Sequence, residues 1–123
     1  MRAIGVWVIF AASPLLLGAG PASRILALYP ENAKAQAIGP LNAYVKGKYG
    51  SGVISLKLPG GEILEGQFEV KARRSADVHD PALANMKGPS GITVRCEVTN
   101  DRANTHGSGV CRFSDGAEYR VVY

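Results

Sequence analysis

The 123-residue chain carries 14 Lys and Arg against 10 Asp and Glu, a formal charge of +4, with two cysteines and 7 % aromatic residues. That length suits one compact core rather than several domains. The mild basicity is what keeps a small domain soluble, and with no recognisable nucleic-acid motif it gives no reason to expect that partner. Two cysteines without a Cys-x-x-Cys spacing argue against a zinc or redox pair.

Met1-Arg2 precedes AIGVWVIFAASPLLLGAG, an apolar run with no further charge until Arg24. This is the order of parts in a secretory signal, and Gly20-Pro21-Ala22 supplies small residues for cleavage after Ala22. Residues 1–22 are therefore expected to be a signal peptide, with an uncleaved membrane anchor as the alternative, since the run approaches bilayer-spanning length. Export places the chain in the periplasm or outside the cell, where Cys96 and Cys111 are expected to form a disulfide.

Residues 23–40 (SRILALYPENAKAQAIGP) are rich in Ala and Pro and read as a linker or loosely docked arm, with a short helix possible over Glu31 to Ile38, stopped by Gly39-Pro40. From Leu41 to Tyr123 the pattern changes to short alternating runs punctuated by Gly, the mark of β-hairpins. In VISLKLPGGEILEGQFEV, a three-residue loop Pro59-Gly60-Gly61 sets Leu58 opposite Glu62, Leu56 opposite Leu64, Ile54 opposite Gly66 and Gly52 opposite Phe68. The apolar residues then gather on one face, which a slip of one residue would scatter.

The connection 71–91 is longer than compact domains usually need. Asp80 before Pro81, then ALANMK and Gly88, offers an N-cap, good helix formers and a stop, so a short helix is expected within it. Ile92, Val94, Cys96 and Val98 alternate with Thr93, Arg95, Glu97 and Thr99 as a half-buried strand. Folding back across Asn100 to Gly107 brings Cys96 beside Cys111 and Val94 beside Phe113. In the last hairpin, a loop Ser114-Asp115-Gly116 sets Phe113 opposite Ala117, Cys111 opposite Tyr119, Gly109 opposite Val121 and Gly107 opposite Tyr123. The two hairpins repeat: Gly116 takes the place of Gly61, Tyr119 of Leu64 and Tyr123 of Phe68. The expected fold is all-β, a small antiparallel sheet or partly open barrel of Gly-turn hairpins over residues 41–123, with one short helix in a long loop.

Gly107, Gly109, Asp115, Gly116, Tyr119 and Tyr123, and less fully Gly52, Gly61, Gly66 and Phe68, resemble the MORN repeat. That pattern has a Gly-x-Gly opening, an Asp/Asn-Gly turn, and then Tyr, Gly and an aromatic on alternate positions. The resemblance implies contact with membrane lipid or assembly with other chains. The C-terminal Gly-x-Gly-x-Cys, turn Gly and Tyr are also similar to small exported bacterial proteins of uncharacterised function.

Lys71, Arg73 and Arg74 form the densest basic group, a candidate patch for a phosphate or an acidic partner, with Lys46 and Lys48 on a neighbouring strand; a solvated strand edge is the plainer reading. Asp77, His79 and Asp80 lack metal-ligand spacing, and His106 with Ser108 lacks a third orienting group, so no metal, cofactor or catalytic residue is assigned. A small hydrolase using His106 is kept as a remote alternative. The function expected is a non-catalytic binding or structural module of the cell envelope. Its partner is an unidentified protein, a lipid head group or an envelope polysaccharide.

Overall fold

The structure, a computed structural model, describes residues 22–48, 50–71, 79–101 and 106–123. Of the expected signal peptide only Ala22 falls within them, and Arg73 and Arg74 of the basic patch lie outside. The described residues form one sheet of eight antiparallel strands: β1 (Ala22–Pro30), β2 (Leu41–Lys48), β3 (Ser51–Lys57), β4 (Ile63–Val70), β5 (His79–Lys87), β6 (Thr93–Asp101), β7 (His106–Phe113) and β8 (Glu118–Val122). Each strand pairs with the next in sequence, and β1 pairs with β8 through Ala27↔Val122 to Pro30↔Tyr119. The sheet is therefore closed rather than partly open. A helix α1 (Ala33–Ile38) lies between β1 and β2.

The expected hairpin registers hold. Leu56 faces Leu64, Ile54 faces Gly66 and Gly52 faces Phe68, while Cys111 faces Tyr119 and Gly109 faces Val121. Three turns share one geometry. In each, the amide of the third loop residue (Gly61, Gly91 or Gly116) donates to the carbonyl of the residue before the loop (Leu58, Gly88 or Phe113). These three glycines have φ of 103°, 96° and 101°, a left-handed backbone that costs a Gly nothing.

Two expectations are corrected. Residues 23–40 are not a loose arm, because Ala22–Pro30 is the strand that closes the barrel. Inward Leu26 and Leu28 alternate with Ile25, Ala27 and Tyr29, so apolar residues on both faces hide the two-residue period. Nor does a helix form over 80–88, where β5 runs between β4 and β6. Its Ala, Met and Lys are good helix formers, but both neighbours offer unpaired backbone groups, and a full ladder on two sides outweighs a propensity difference of under about 1 kcal/mol per residue. Pro81 is tolerated there because its carbonyl, and hence its nitrogen, faces Lys71, just past the last β4 pair, Val70↔Ala82. The helix that does form is α1, N-capped by Asn32, whose Oδ1 accepts from the Ala35 amide at 3.0 Å, and ended at Gly39.

The three Gly turns at 59–61, 89–91 and 114–116 and α1 gather at one end, which is stitched around its rim. The Ser90 amide donates to Glu62 at 2.9 Å, the Thr93 amide to the Ser114 hydroxyl at 3.0 Å, and Asn32 Nδ2 to the Gly116 carbonyl at 2.9 Å. The Tyr119 hydroxyl lies 2.8 Å from the Gly39 carbonyl and 3.2 Å from that of Ala35, tying α1 across the barrel end. Leu28, Leu41, Leu56, Leu64, Met86, Val94, Phe113 and Val121 are buried in this half with Tyr119, whose ring centre is 5.3 Å from that of Phe113.

Cys96 and Cys111 are directly opposite on β6 and β7 and form a disulfide, with Cα atoms 4.0 Å apart, the close spacing of a non-hydrogen-bonded pair. The bridge spans a separation of 15 residues. Replacing both cysteines by Ala should lower unfolding free energy by about 3 kcal/mol while the barrel still forms. Urea midpoints with far-UV circular dichroism of the folded baseline would check this.

Candidate functional site

Because side chains alternate, every second residue of each strand faces the barrel interior. At the helix-capped end those positions hold large groups. Towards the other end they hold Val45, Gly47, Gly52, Gly66, Ala82, Ala84, Val98, Gly107 and Gly109. The missing volume is a cavity of about 480 Å³ that opens at the end where Gly50, Val70 and Tyr123 lie, next to Lys71. Leu26, Ile54, Ala84 and Cys96 line its depth, and Phe68 and Tyr123 stand at its mouth.

The two aromatic rings occupy equivalent places in the repeat. A Cβ on Gly52 would meet the Phe68 ring, and one on Gly107 would meet the Tyr123 ring, so each glycine leaves the space its partner's ring fills. Since β4 and β8 are four strands apart in a ring of eight, the rings come from opposite walls. Tyr123 crosses Gly107 to donate its hydroxyl to Asn100 Oδ1 at 2.9 Å, and the Arg24 guanidinium sits 5.2 Å from its ring centre. Burial pushes the Tyr123 phenol above its ordinary value, with the Arg24 charge opposing that shift. Burial, and then the Asp115 carboxylate, push Tyr119 up as well.

Of the sequence-predicted groups, Cys96 lines this cavity, while Lys71, Lys46, His106 and Ser108 lie around it. Lys71 is exposed on the rim, its amide donating to the Pro81 carbonyl at 2.8 Å, and the adjoining hairpin bonds β4 through the Val70 amide and the Gly50 carbonyl at 2.7 Å. Lys46 is exposed on β2, one strand away from β3 and its partner β4, near that same rim. His106 and Ser108 are exposed, on the face of β7 opposite to inward Gly107 and Gly109. His106 Nδ1 lies 3.3 Å from the Tyr123 main-chain oxygen, an acceptor, so the contact places a proton on that nitrogen. Asp77 lies outside the described residues, and Asp80 is fully buried. Among the described residues no three His, Cys, Asp or Glu side chains group as metal ligands. Tyr119, one of the residues that carry the resemblance to the MORN repeat, is buried inside the barrel.

The outer wall is charged over β6 to β8, whereas Ile25, Tyr29, Tyr44, Val53 and Ile63 are exposed on β1 to β4. Exposed Arg95–Glu97, Arg112–Glu118 and Arg120–Glu31 pairs stud β6 to β8 at 3.1, 3.8 and 3.5 Å. Such exposed pairs stabilise little. Arg24 and Asn100 were not singled out by sequence reasoning, because Arg24 sat in the supposed arm and Asn100 in a polar connection. The signal that finds them is register: both are inward positions one step beyond the last large apolar residue of their strands.

Comparison of the chain with protein-family models, with curated proteins and with solved structures gives no match.

Both phenols are raised in the folded chain, so the unfolded chain ionises first as pH rises through about 10. Their contribution to stability is complete below that value and is lost above it. Urea midpoints measured between pH 8 and pH 11 should fall, and fall less in a Tyr119→Phe, Tyr123→Phe double variant compared with its own value at pH 8.

Proposed function

We propose that this chain is an exported, non-catalytic binding protein of the cell envelope or its surroundings, holding one small apolar molecule inside the barrel. The observation that carries the reading is the cavity, whose roughly 480 Å³ falls in the range that small-molecule sites occupy. Protein interiors are normally close-packed, and a void forfeits the contacts its lining would otherwise make. Here the void comes from a consistent choice of Gly, Ala and Val at inward positions on six strands, β2 to β7, while Leu, Met, Phe and Tyr fill the capped end. Eight-stranded barrels are just wide enough either to be filled by side chains or to admit one small ligand. An apolar guest would regain the missing contacts and bury apolar surface at about 25 cal/mol per Å².

The rest of the molecule supports a rigid container. The capped end is stitched by its turns, and the disulfide joins two adjacent strands at cavity depth. The basic rim around Lys71 would bias the choice of guest or surface without taking part in the enclosure.

Titration of the mature domain with the neutral dye N-phenyl-1-naphthylamine should give saturable, one-to-one fluorescence enhancement. Ala84 is buried, inward and opposite Phe68, so Ala84→Leu should fill the cavity and weaken the dye by about tenfold or more without lowering the unfolding midpoint. A wild-type protein that leaves the dye dark, or an Ala84→Leu variant that binds it as well, would overturn the reading.

A further inference from the structure

The outer wall differs between the two halves of the ring. Leu56 and Cys111 occupy equivalent positions, as do Ala43 and Cys96 opposite them, and Leu26 and Ala84 on the next strands. Counting outward residues from those pairs sets Tyr29 against Lys87, Tyr44 against Glu97, Val53 against Ser108 and Ile63 against Glu118. The four second-half residues are exposed and polar, so the barrel needs no apolar side chain at these places. The first half nevertheless leaves a large apolar group in solvent at each of them.

Ile25 and Tyr44 are directly opposite on β1 and β2, and Val53 on β3 stands diagonal to Tyr44, beside Lys46. Side chains at these offsets on one face of a sheet lie within reach of one another. The three are 58 %, 51 % and 55 % exposed and alternate with the residues that line the cavity, so they form one apolar patch on the outside. The charge around them has one sign. Strands β1, β2 and β3 contain no Asp or Glu; the first acidic strand is β4, with Glu65 and Glu69. Lys46 and Lys57 are exposed and make no ion pair among the described residues, whereas Arg95, Arg112 and Arg120 on the other half are each paired with a Glu.

A partner for this face must accept apolar side chains and carry negative charge. A stable protein–protein contact takes about 800 Å² from each side. Three half-exposed side chains, the largest a Tyr of ~150–250 Å², present roughly 300 Å² on a convex wall and fall short of that. A fluid bilayer moulds around a convex surface, receives single apolar groups at the headgroup boundary, suits a Tyr with its apolar ring and polar tip, and attracts Lys when its lipids are anionic. We infer that the outer face of β1–β3 docks the protein on an anionic lipid bilayer, with Ile25, Tyr44 and Val53 entering the interface and Lys46 and Lys57 meeting the headgroup phosphates. This docking is independent of the cavity and of what the cavity holds.

The test is co-sedimentation of the mature protein with vesicles of pure phosphatidylcholine and with vesicles in which about one-third of the lipid is phosphatidylglycerol. The anionic vesicles should bind about tenfold or more tighter, and less as salt is raised. Lys46→Gln with Lys57→Gln should weaken that binding by about fivefold for each Lys removed. Ile25→Thr with Val53→Thr keeps β-branched residues on the strands and should cost about fivefold with the urea midpoint unchanged. Arg95→Gln with Arg112→Gln makes the same change of charge on the opposite wall, beyond screening distance, and should stay within about twofold of wild type. Trp7 is the one tryptophan of the chain and lies in the expected signal peptide, so Tyr44→Trp is a sole reporter in the mature protein. Its emission should move to the blue with anionic vesicles, and that of Ser108→Trp should not. The inference is overturned by equal binding of the two vesicle types, by an equal loss in the Arg95, Arg112 variant, or by matching shifts of the two reporters. A dimer in sedimentation equilibrium that Ile25→Thr with Val53→Thr abolishes also overturns it and gives the face to a second copy. The cavity reading stands in every case, since dye uptake is measured without vesicles. The wild-type and tryptophan series decide the matter if the threonine variant does not fold.

Discussion

Closing eight strands into a ring fixes the width of the space between them, and the residues at inward positions then decide whether that space is full or empty. This chain does both. At the helix-capped end Leu28, Leu56, Leu64, Phe113 and Tyr119 fill the ring, while toward the mouth Gly, Ala and Val leave it open. The cavity and its lining follow from that gradient of side-chain volume along the strands. The packed end supplies the burial that holds the fold, and so permits the other end to carry a void that a domain of this size could not tolerate throughout.

The register of the hairpins was readable because each pairs alternating apolar residues around a turn whose third position demands Gly. Gly61 and Gly116 place the turns, and placing a turn places every cross-strand pair after it. The Cys96–Cys111 contact followed from the same counting. The strands that escaped were β1 and β5. In β1 apolar residues occupy both faces, so periodicity carries no information about direction. In β5 the inward residues are Ala82 and Ala84, whose small size is what makes the cavity and also what makes the segment look helical. The sequence Gly88-Pro89-Ser90-Gly91 repeats the turn chemistry of Leu58-Pro59-Gly60-Gly61, and was the available sign that a strand preceded it. The cavity could not be read without those two strands, since a site enclosed by a ring does not exist until the ring is complete.

The repeat is larger than the hairpin in which it first shows. Strands β1–β4 and β5–β8 superpose in register as two halves of the ring, so features common to both report what the barrel needs and features found once report something else. Glycines under aromatic rings occur in both halves, at Gly52 with Phe68 and Gly107 with Tyr123, and belong to the architecture. The disulfide replaces the Ala43–Leu56 pair of the other half, and α1 occupies the place of a three-residue turn. Arg24 and Asn100, standing where the other half has Ala82 and Gly47, are the polar departures at the cavity.

The junction of the two halves at β1 and β8 is shorter than the other junctions. β8 pairs with β1 only from Ala27 to Pro30, whereas β2 follows β1 from Ala22 to Leu28. Among the described residues, Ser23 to Leu26 thus have a strand neighbour on one side only, and the Arg24–Tyr123 stack spans the remaining width. That stretch is a vertical slit in an otherwise continuous wall, latched by a side-chain contact rather than by a backbone ladder. Among the described residues, parting it needs no rupture of strand pairing, so this is where the wall can be deformed at the lowest cost in backbone hydrogen bonds.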